Sequence, residues 1–218
     1  MSTGVIEEKP RVPGSVKDLE SFRRWLSSDR FPDRGWISYL NGEVWLDLNT
    51  EELAHNQIKG EIASVLASWV KKKRWGKYLH DRFRLIHLRA NLSTEPDGMF
   101  VSWEALRSGR ATLLEGEEGW TELEGTPEMV LEVVSASSVK KDTIKLRKLY
   151  GKAEVPEYWL VDARPNRFSF DILHYTSEGY VPSRRQGDWL KSSVFAKEFQ
   201  LRMENDELGY PDFTLAMR

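Results

Sequence analysis

Apolar residues first recur at helical spacing over residues 15–28, where Leu19, Phe22, Trp25 and Leu26 make one stripe and Ser15 is the expected N-cap. Trp36–Leu40 and Glu43–Asp47 then read as two strands around Asn41-Gly42, a residue pair that tolerates positive φ in a tight hairpin turn. Thr50 is the expected cap of a long helix that stops near Trp75-Gly76. The helix carries Leu53, Ile58, Ile62, Val65, Leu66 and Trp69 as one stripe, which predicts packing on a sheet. Strands are expected over Tyr78–Leu88 and Gly98–Ser102, with a short helix over Trp103–Ser108 and a surface loop over Glu115–Glu124. Glu128–Ser135 reads as a short buried strand, followed by a helix capped by Ser137 or Ser138 and running to about Lys152. Two more strands fall over Tyr158–Val161 and Phe168–Tyr175, and the last forty residues show mixed β patterning without clear boundaries. This order predicts an α/β fold with one central mixed sheet flanked by helices. Residues 1–14 read as a loose tail, and residues 15–218 as a single domain with its core over about 36–175.

Composition narrows the class without naming a function. Hydrophobic residues make up 40% and charged ones 30% of the 218 residues, the balance of a soluble globular chain. Cysteine is absent, which excludes disulfides and thiolate metal sites and fits a reducing cytoplasm. Met1 to Pro13 includes Glu7 and Glu8 and no apolar run, so it does not read as a signal peptide, and no stretch is apolar enough for a membrane span. A net charge of −2 gives no global case for a polyanionic partner, but its distribution is uneven. Acidic residues crowd together at Glu115, Glu117, Glu118, Glu122, Glu124 and Glu128. Basic residues do so at Lys71-Lys-Lys-Arg74 and from Lys140 to Lys152. Either basic group taken alone also fits a solvated helix face.

Glu132 carries the most chemical information. Within Met129-Val-Leu-Glu-Val-Val134, alternation sets Val130, Glu132 and Val134 on one sheet face and Met129, Leu131 and Val133 on the other. Both faces are otherwise apolar, which marks an interior strand. A carboxylate there is costly unless a cation partners it. That cation is either a metal ion or a lysine of the following helix. Asp97, after Pro96 and before Met99-Phe-Val101, is either a turn former or a second carboxylate on a neighbouring strand. Together the two would make a hard-oxygen site suited to Mg²⁺ or Mn²⁺.

Glu95-Pro-Asp97 followed by Glu132-Val-Val134 resembles the PD-(D/E)XK restriction-endonuclease-like superfamily. More closely, the chain resembles the Uma-type family of restriction-endonuclease-like proteins. The resemblance runs through Asn41-Gly-Glu43, His55, Pro96-Asp97, Leu131-Glu-Val-Val-Ser135, Lys141-Asp142, Tyr150 and the distinctive Val155-Pro-Glu-Tyr-Trp-Leu-Val-Asp162. It implies a restriction-endonuclease-like core and a Mg²⁺-dependent (or Mn²⁺-dependent) endonuclease that hydrolyses DNA phosphodiester bonds, with Asp97 and Glu132 as metal ligands. The superfamily lysine two residues after the glutamate is here Val134, and the family's usual replacement on the next helix is here Leu146. Lys145, the favoured substitute, and Lys141 are the lysines near enough in sequence to reach back toward Glu132. Ser38 stands where the family's hairpin often has a glutamate, while Glu43 survives as a further carboxylate or a cross-strand ion-pair partner. His55 is a candidate for contact with the site or proton carriage, or a local hydrogen-bonding residue of the helix start. Asp142 fits helix-start electrostatics, and Tyr150, Tyr158 and Trp159 read as core.

Two further readings come from other classes. One is a non-catalytic nucleic-acid-binding or scaffold protein on a decayed nuclease fold, motivated by the displaced lysine and by Ser38. The other is a metal-independent hydrolase using Asp97 and Glu132 as general acid and base. A homodimer is also expected, since many nucleases cut two strands by two-fold symmetry.

Overall fold

The computed structural model of the chain describes residues 11–32, 35–116, 119–164 and 166–218. Helix α1 is Leu19–Leu26. Its cap is Asp18, not the expected Ser15, because the Asp18 carboxylate accepts from Ser21 N at 2.7 Å and Ser21 Oγ closes the capping box. Of the expected tail, residues 1–10 lie outside the described residues, and residues 11–13 carry no regular structure.

Strands β1 (Trp36–Leu40) and β2 (Glu43–Asp47) form the expected hairpin, with Asn41 and Gly42 both at positive φ. Helix α2 is Leu53–Lys73, so it starts later than Thr50 and has no side-chain cap at Glu52. It ends at Arg74, itself left-handed at φ 54°, before reaching Gly76. Gly76 is needed for another reason: a Cβ there would lie 2.0 Å from Val101 O, because β3 (Gly76–His80) runs tight against β6 (Gly98–Ser102). The single strand expected over Tyr78–Leu88 is broken after His80 by a turn through Arg82 at φ 69°. Its second half, β4 (Arg84–His87), belongs to a different sheet and pairs with β5 (Leu92–Thr94).

After helix α3 (Trp103–Ser108), the acidic segment forms strands β7 (Ala111–Gly116) and β8 (Gly119–Gly125), not the expected loop. Glu122 and Glu124 tolerate one another there because Arg23 of α1 approaches both, at 3.6 and 3.4 Å. Glu117 and Glu118 lie outside the described residues.

The strand that carries Glu132 is β9 (Met129–Val134), and every residue of it is buried. It lies inside a six-stranded mixed sheet in the order β12-β11-β10-β9-β6-β3, where β10 is Glu157–Asp162, β11 is Ser169–Thr176 and β12 is Gly179–Pro182. β9 runs parallel to β10 and antiparallel to β6. Between β9 and β10 the helical segment 139–152 widens into a π-helical turn over Lys141–Leu146, then continues as α4 (Arg147–Lys152). Ser138 precedes that segment, as expected of a cap residue, but its hydroxyl accepts from Ser135 N at 2.9 Å.

The α/β class is therefore as read from the sequence, although among the described residues the strands are divided among three sheets. β2-β1-β5-β4-β8-β7 forms the second. The last forty residues form the third, from β13 (Arg185–Gln186), β14 (Trp189–Ser192), β15 (Lys197–Asn205) and β16 (Pro211–Met217). One core joins Ile58, Ile62 and Leu66 of α2 to Met129, Leu131 and Val133 of β9 and to Phe199, Leu201, Phe213 and Leu215 of the third sheet. Leu53 of the expected stripe is half exposed instead. The opposite face of β9 contributes Val130 to a second core with Leu146, Leu149 and Tyr150. Glu132 projects toward that second core.

Candidate active site

The register of β6 against β9 builds the site. Gly98 pairs with Leu131, so continuing the antiparallel ladder by one residue sets Asp97 opposite Glu132. Asp97 Oδ2 accepts from Val133 N at 2.7 Å, which fixes the carboxylate at the strand end. Its Oδ1 faces the first turns of α2, 3.2 Å from His55 Nε2 and 3.8 Å from Lys59 Nζ. Burial alone would raise the Asp97 pKa. The His55 hydrogen bond and the charges of His55 and Lys59 outweigh it and hold the group below the usual aspartate value.

Glu132 has the opposite balance. It is 2% exposed, and burial pushes its pKa well above the ordinary glutamate value. Lys141 opposes that rise, while the charges of Asp142 and Asp97 add to it. Tyr150 donates its hydroxyl to Glu132 Oε1 at 2.5 Å, and Lys141 Nζ lies 4.0 Å from Oε2 and 3.3 Å from Asp142 Oδ1. Asp142 is 1% exposed, among the described residues neither of its oxygens has a well-formed hydrogen bond, and burial drives its pKa up to about 6. Glu132 and Asp142 thus share Lys141, whose own pKa is raised by these carboxylates and by the charge of Asp97 in spite of its burial.

A cleft of about 380 Å³ opens onto this cluster, with Asp47, Glu51, His55, Glu95, Asp97 and Lys141 among its lining residues. Glu51 adds a fourth carboxylate. Its Oε1 lies 3.6 Å from His55 Nε2 and contacts Lys59, and the ligand atoms of Glu51, His55 and Asp97 all lie within 4.8 Å of one another. Lys59 also reaches Asp81 at 3.0 Å. The donor set suits a hard divalent cation: carboxylate oxygens of Glu51 and Asp97 and the His55 imidazole lie within reach of one another, with Glu132 opposite Asp97 on the neighbouring strand.

The expected site residues thus fall into two places. Asp97, Lys141 and His55 line the cleft, and Glu132 is buried beside Lys141. Lys145 and Glu43 are directed away and bind each other, with Lys145 Nζ 4.8 Å from the Trp45 ring centroid and Glu43 largely exposed. The reason is helical geometry: Asp142, Leu146 and Tyr150 form the buried face of segment 139–152, which leaves Lys145 on its flank over the hairpin. Ser38 Oγ is engaged with Thr94 Oγ1 at 2.8 Å.

Asp142 and Tyr150, read from the sequence as helix-start and core residues, both belong to the cluster. Glu51 and Lys59 were not foreseen. A lysine four residues after His55, on the face that also carries Ile62 and Leu66, was the available signal. Glu157 is structural: fully buried, it accepts from Trp159 Nε1 at 3.0 Å, Ser192 Oγ at 2.7 Å and Val194 N at 3.0 Å. Asp162 pairs with Arg164 at 2.6 Å.

The family model described as "Uma2: Putative restriction endonuclease" matches residues 19–204, most of the chain. The chain belongs to this family. Among solved structures, this Uma2-family chain is similar to one described as a putative nuclease belonging to DUF820 from Anabaena variabilis ATCC 29413. The TM-score is 0.59 at 18% identity, over 82% of this chain and 90% of that one. At that identity the likeness speaks for the fold. No curated protein matches the Uma2-family chain. Among the described residues no helix is long and apolar enough to cross a membrane.

Proposed function

We propose that the chain is a nuclease that hydrolyses DNA phosphodiester bonds with Mg²⁺ or Mn²⁺ held by Asp97 and Glu132. The observation that carries this reading is the placement of Asp97 opposite Glu132, with Lys141 beside Glu132 and Asp142, under an open cleft. Membership of a family described as restriction endonucleases supports DNA as the substrate class. When bound, the cation would neutralise phosphate charge and lower the pKa of a water that attacks phosphorus.

The chain's own residues have separable roles in this proposal. Val133 N–H and His55 orient Asp97 from its two sides, and the Tyr150 hydroxyl holds Glu132 in its rotamer. Lys141 takes the place of the superfamily lysine absent at Val134 and Leu146. Its ammonium stands where it can orient the attacking water and stabilise the charge that builds on the pentavalent phosphorus. His55, between Asp97 and Glu51 at the cleft wall, is placed to carry a proton to or from the solvent side.

One observation favours the non-catalytic alternative. Lys59 stands beside Asp97 and Lys141 beside Glu132, so each carboxylate already has an internal counter-ion. Incubation of supercoiled plasmid with the protein in Mn²⁺, Mg²⁺ or excess chelator separates the readings. Nicking that needs metal and is lost in Asp97→Asn and Glu132→Gln supports the nuclease. Intact plasmid under all conditions would favour the scaffold, and cleavage in chelator would favour metal-independent hydrolysis.

A further inference from the structure

The far end of α2 carries a second feature that the cleft does not use. Lys71, Lys72 and Lys73 close the helix, Arg74 follows, and Lys77 of β3 and Lys197 of β15 come in from two other elements. Among the described residues none of these six cations makes an ion pair, although nine arginines do. Arg23, Arg84, Arg110, Arg164 and Arg218 each reach a carboxylate. A helix C-terminus favours a nearby cation, which accounts for one or two of the lysines on α2. It does not account for Lys77 and Lys197, which approach from other strands.

Two tryptophans hold three of these lysines in place. Lys73 Nζ lies 4.8 Å and Lys197 Nζ 5.3 Å from the Trp69 ring centroid, so two ammonium groups share one indole. Trp75 meets Trp69 edge-on at 6.5 Å. Trp103 N donates to Trp75 O at 2.8 Å, and Lys77 Nζ lies 5.4 Å from the Trp103 ring. Contact with an aromatic ring restricts a lysine that would otherwise sweep through solvent, so less entropy is lost when it meets an anion. Because Trp69 and Trp103 are already covered by lysines, the surface suits a polyanion's backbone better than stacked bases.

We infer that this basic surface binds the phosphodiester backbone of DNA outside the catalytic cleft. The inference rests on the nuclease reading for the choice of polyanion. The charge itself points to a row of phosphates: the chain has a net charge of −2, so the attraction must be local. Lys71 is about 24 Å along α2 from His55, which makes the surface separate from the site. Contacts of this kind are independent of base sequence and fall steeply with salt.

The test compares two variants of equal charge loss. One replaces Lys71, Lys72, Lys73 and Lys77 with Gln. The other replaces the exposed Lys17, Lys148, Lys152 and Lys191 with Gln. Binding to a fluorescent duplex of about 24 base pairs is followed by anisotropy in excess chelator, across a salt series. The expected result is at least a tenfold loss of affinity for the first variant, with a salt-dependence slope lower by about 3–4, and at most a twofold loss for the second. Equal losses in both variants would overturn the inference. So would wild-type DNA affinity in the first variant, including the case where it instead loses binding to vesicles containing anionic lipid. Plasmid nicking by wild type, measured separately in Mn²⁺, reports on the nuclease reading, so failure of one does not register as failure of the other.

Discussion

Replacing Glu132 with Gln should stabilise the metal-free protein while abolishing its response to metal. The side chain is 2% exposed, between Val130 and Val134 on an interior strand, and burial disfavours its charged form. A glutamine keeps the shape, still accepts the Tyr150 hydroxyl, and leaves Lys141 with Asp142 at 3.3 Å. What it removes is a buried negative charge close to two others. Relief of such a charge is on the order of 1–3 kcal/mol, at roughly 1.4 kcal/mol for each pH unit by which the folded-state pKa is raised, which is roughly 2–4 °C in melting temperature for each kcal/mol at this chain length.

The sign follows from linkage. Because the folded-state pKa of Glu132 is raised, the folded chain binds its proton more tightly than the unfolded chain does. Stability is therefore lost as pH rises from the unfolded value through the folded one, and the cost is complete above it. The gain in the variant should be largest at pH 8 and fade as pH falls toward about 4.5. Thermal melts of both proteins in chelator, and again in millimolar Mn²⁺, read both effects. Wild type should gain about 2.7 kcal/mol at a hundredfold excess of metal over its dissociation constant, and the variant nothing. A variant that melts lower than wild type in chelator, by the equivalent of 2 kcal/mol or more, would refute the reasoning. It would make Glu132 a structural ion-pair partner of Lys141.

Lys141→Met should lower Mn²⁺-dependent plasmid cleavage by about a hundredfold or more, while Lys145→Met changes it less than about twofold; equal losses would remove the distinction between the two lysines. His55, whose pKa is raised because its bond to Asp97 outweighs burial, contributes stability that is fully present below pH 6.5 and lost as pH rises through its folded value. Imidazole NMR titration of the metal-free protein should show that raised value, and show it fall in Asp97→Asn. Glu157→Ala strands three or more buried donors, so it should cost about 3 kcal/mol or more in stability without changing Mn²⁺ affinity measured on the folded protein.

The sequence was most legible where local chemistry decides the outcome. Asn41-Gly42 sets the hairpin because it is one of the few pairs that readily accept two positive φ values, and period-two alternation around Glu132 gives both faces of β9 correctly. It was least legible where a residue serves a distant partner. Gly76 reads as a helix stop but is required by Val101 across the ladder, while Arg74 makes the left-handed turn at a cost local propensity does not foresee. The acidic segment reads as a loop because like charges repel, and only its contact with Arg23 of a remote helix makes a hairpin tolerable. The cluster follows the same division: Asp97 and Glu132 are visible from their strand contexts. Glu51 and Lys59 acquire meaning only when the start of α2 is laid against the start of β6.

The measurement closest to the central claim is calorimetric titration of Mn²⁺ into the purified protein, with Asp97→Asn and Glu132→Gln beside it. The account predicts a binding isotherm for wild type that either substitution abolishes, while Lys145→Met leaves it intact. Binding that persists in both carboxylate variants would contradict it by placing the metal elsewhere.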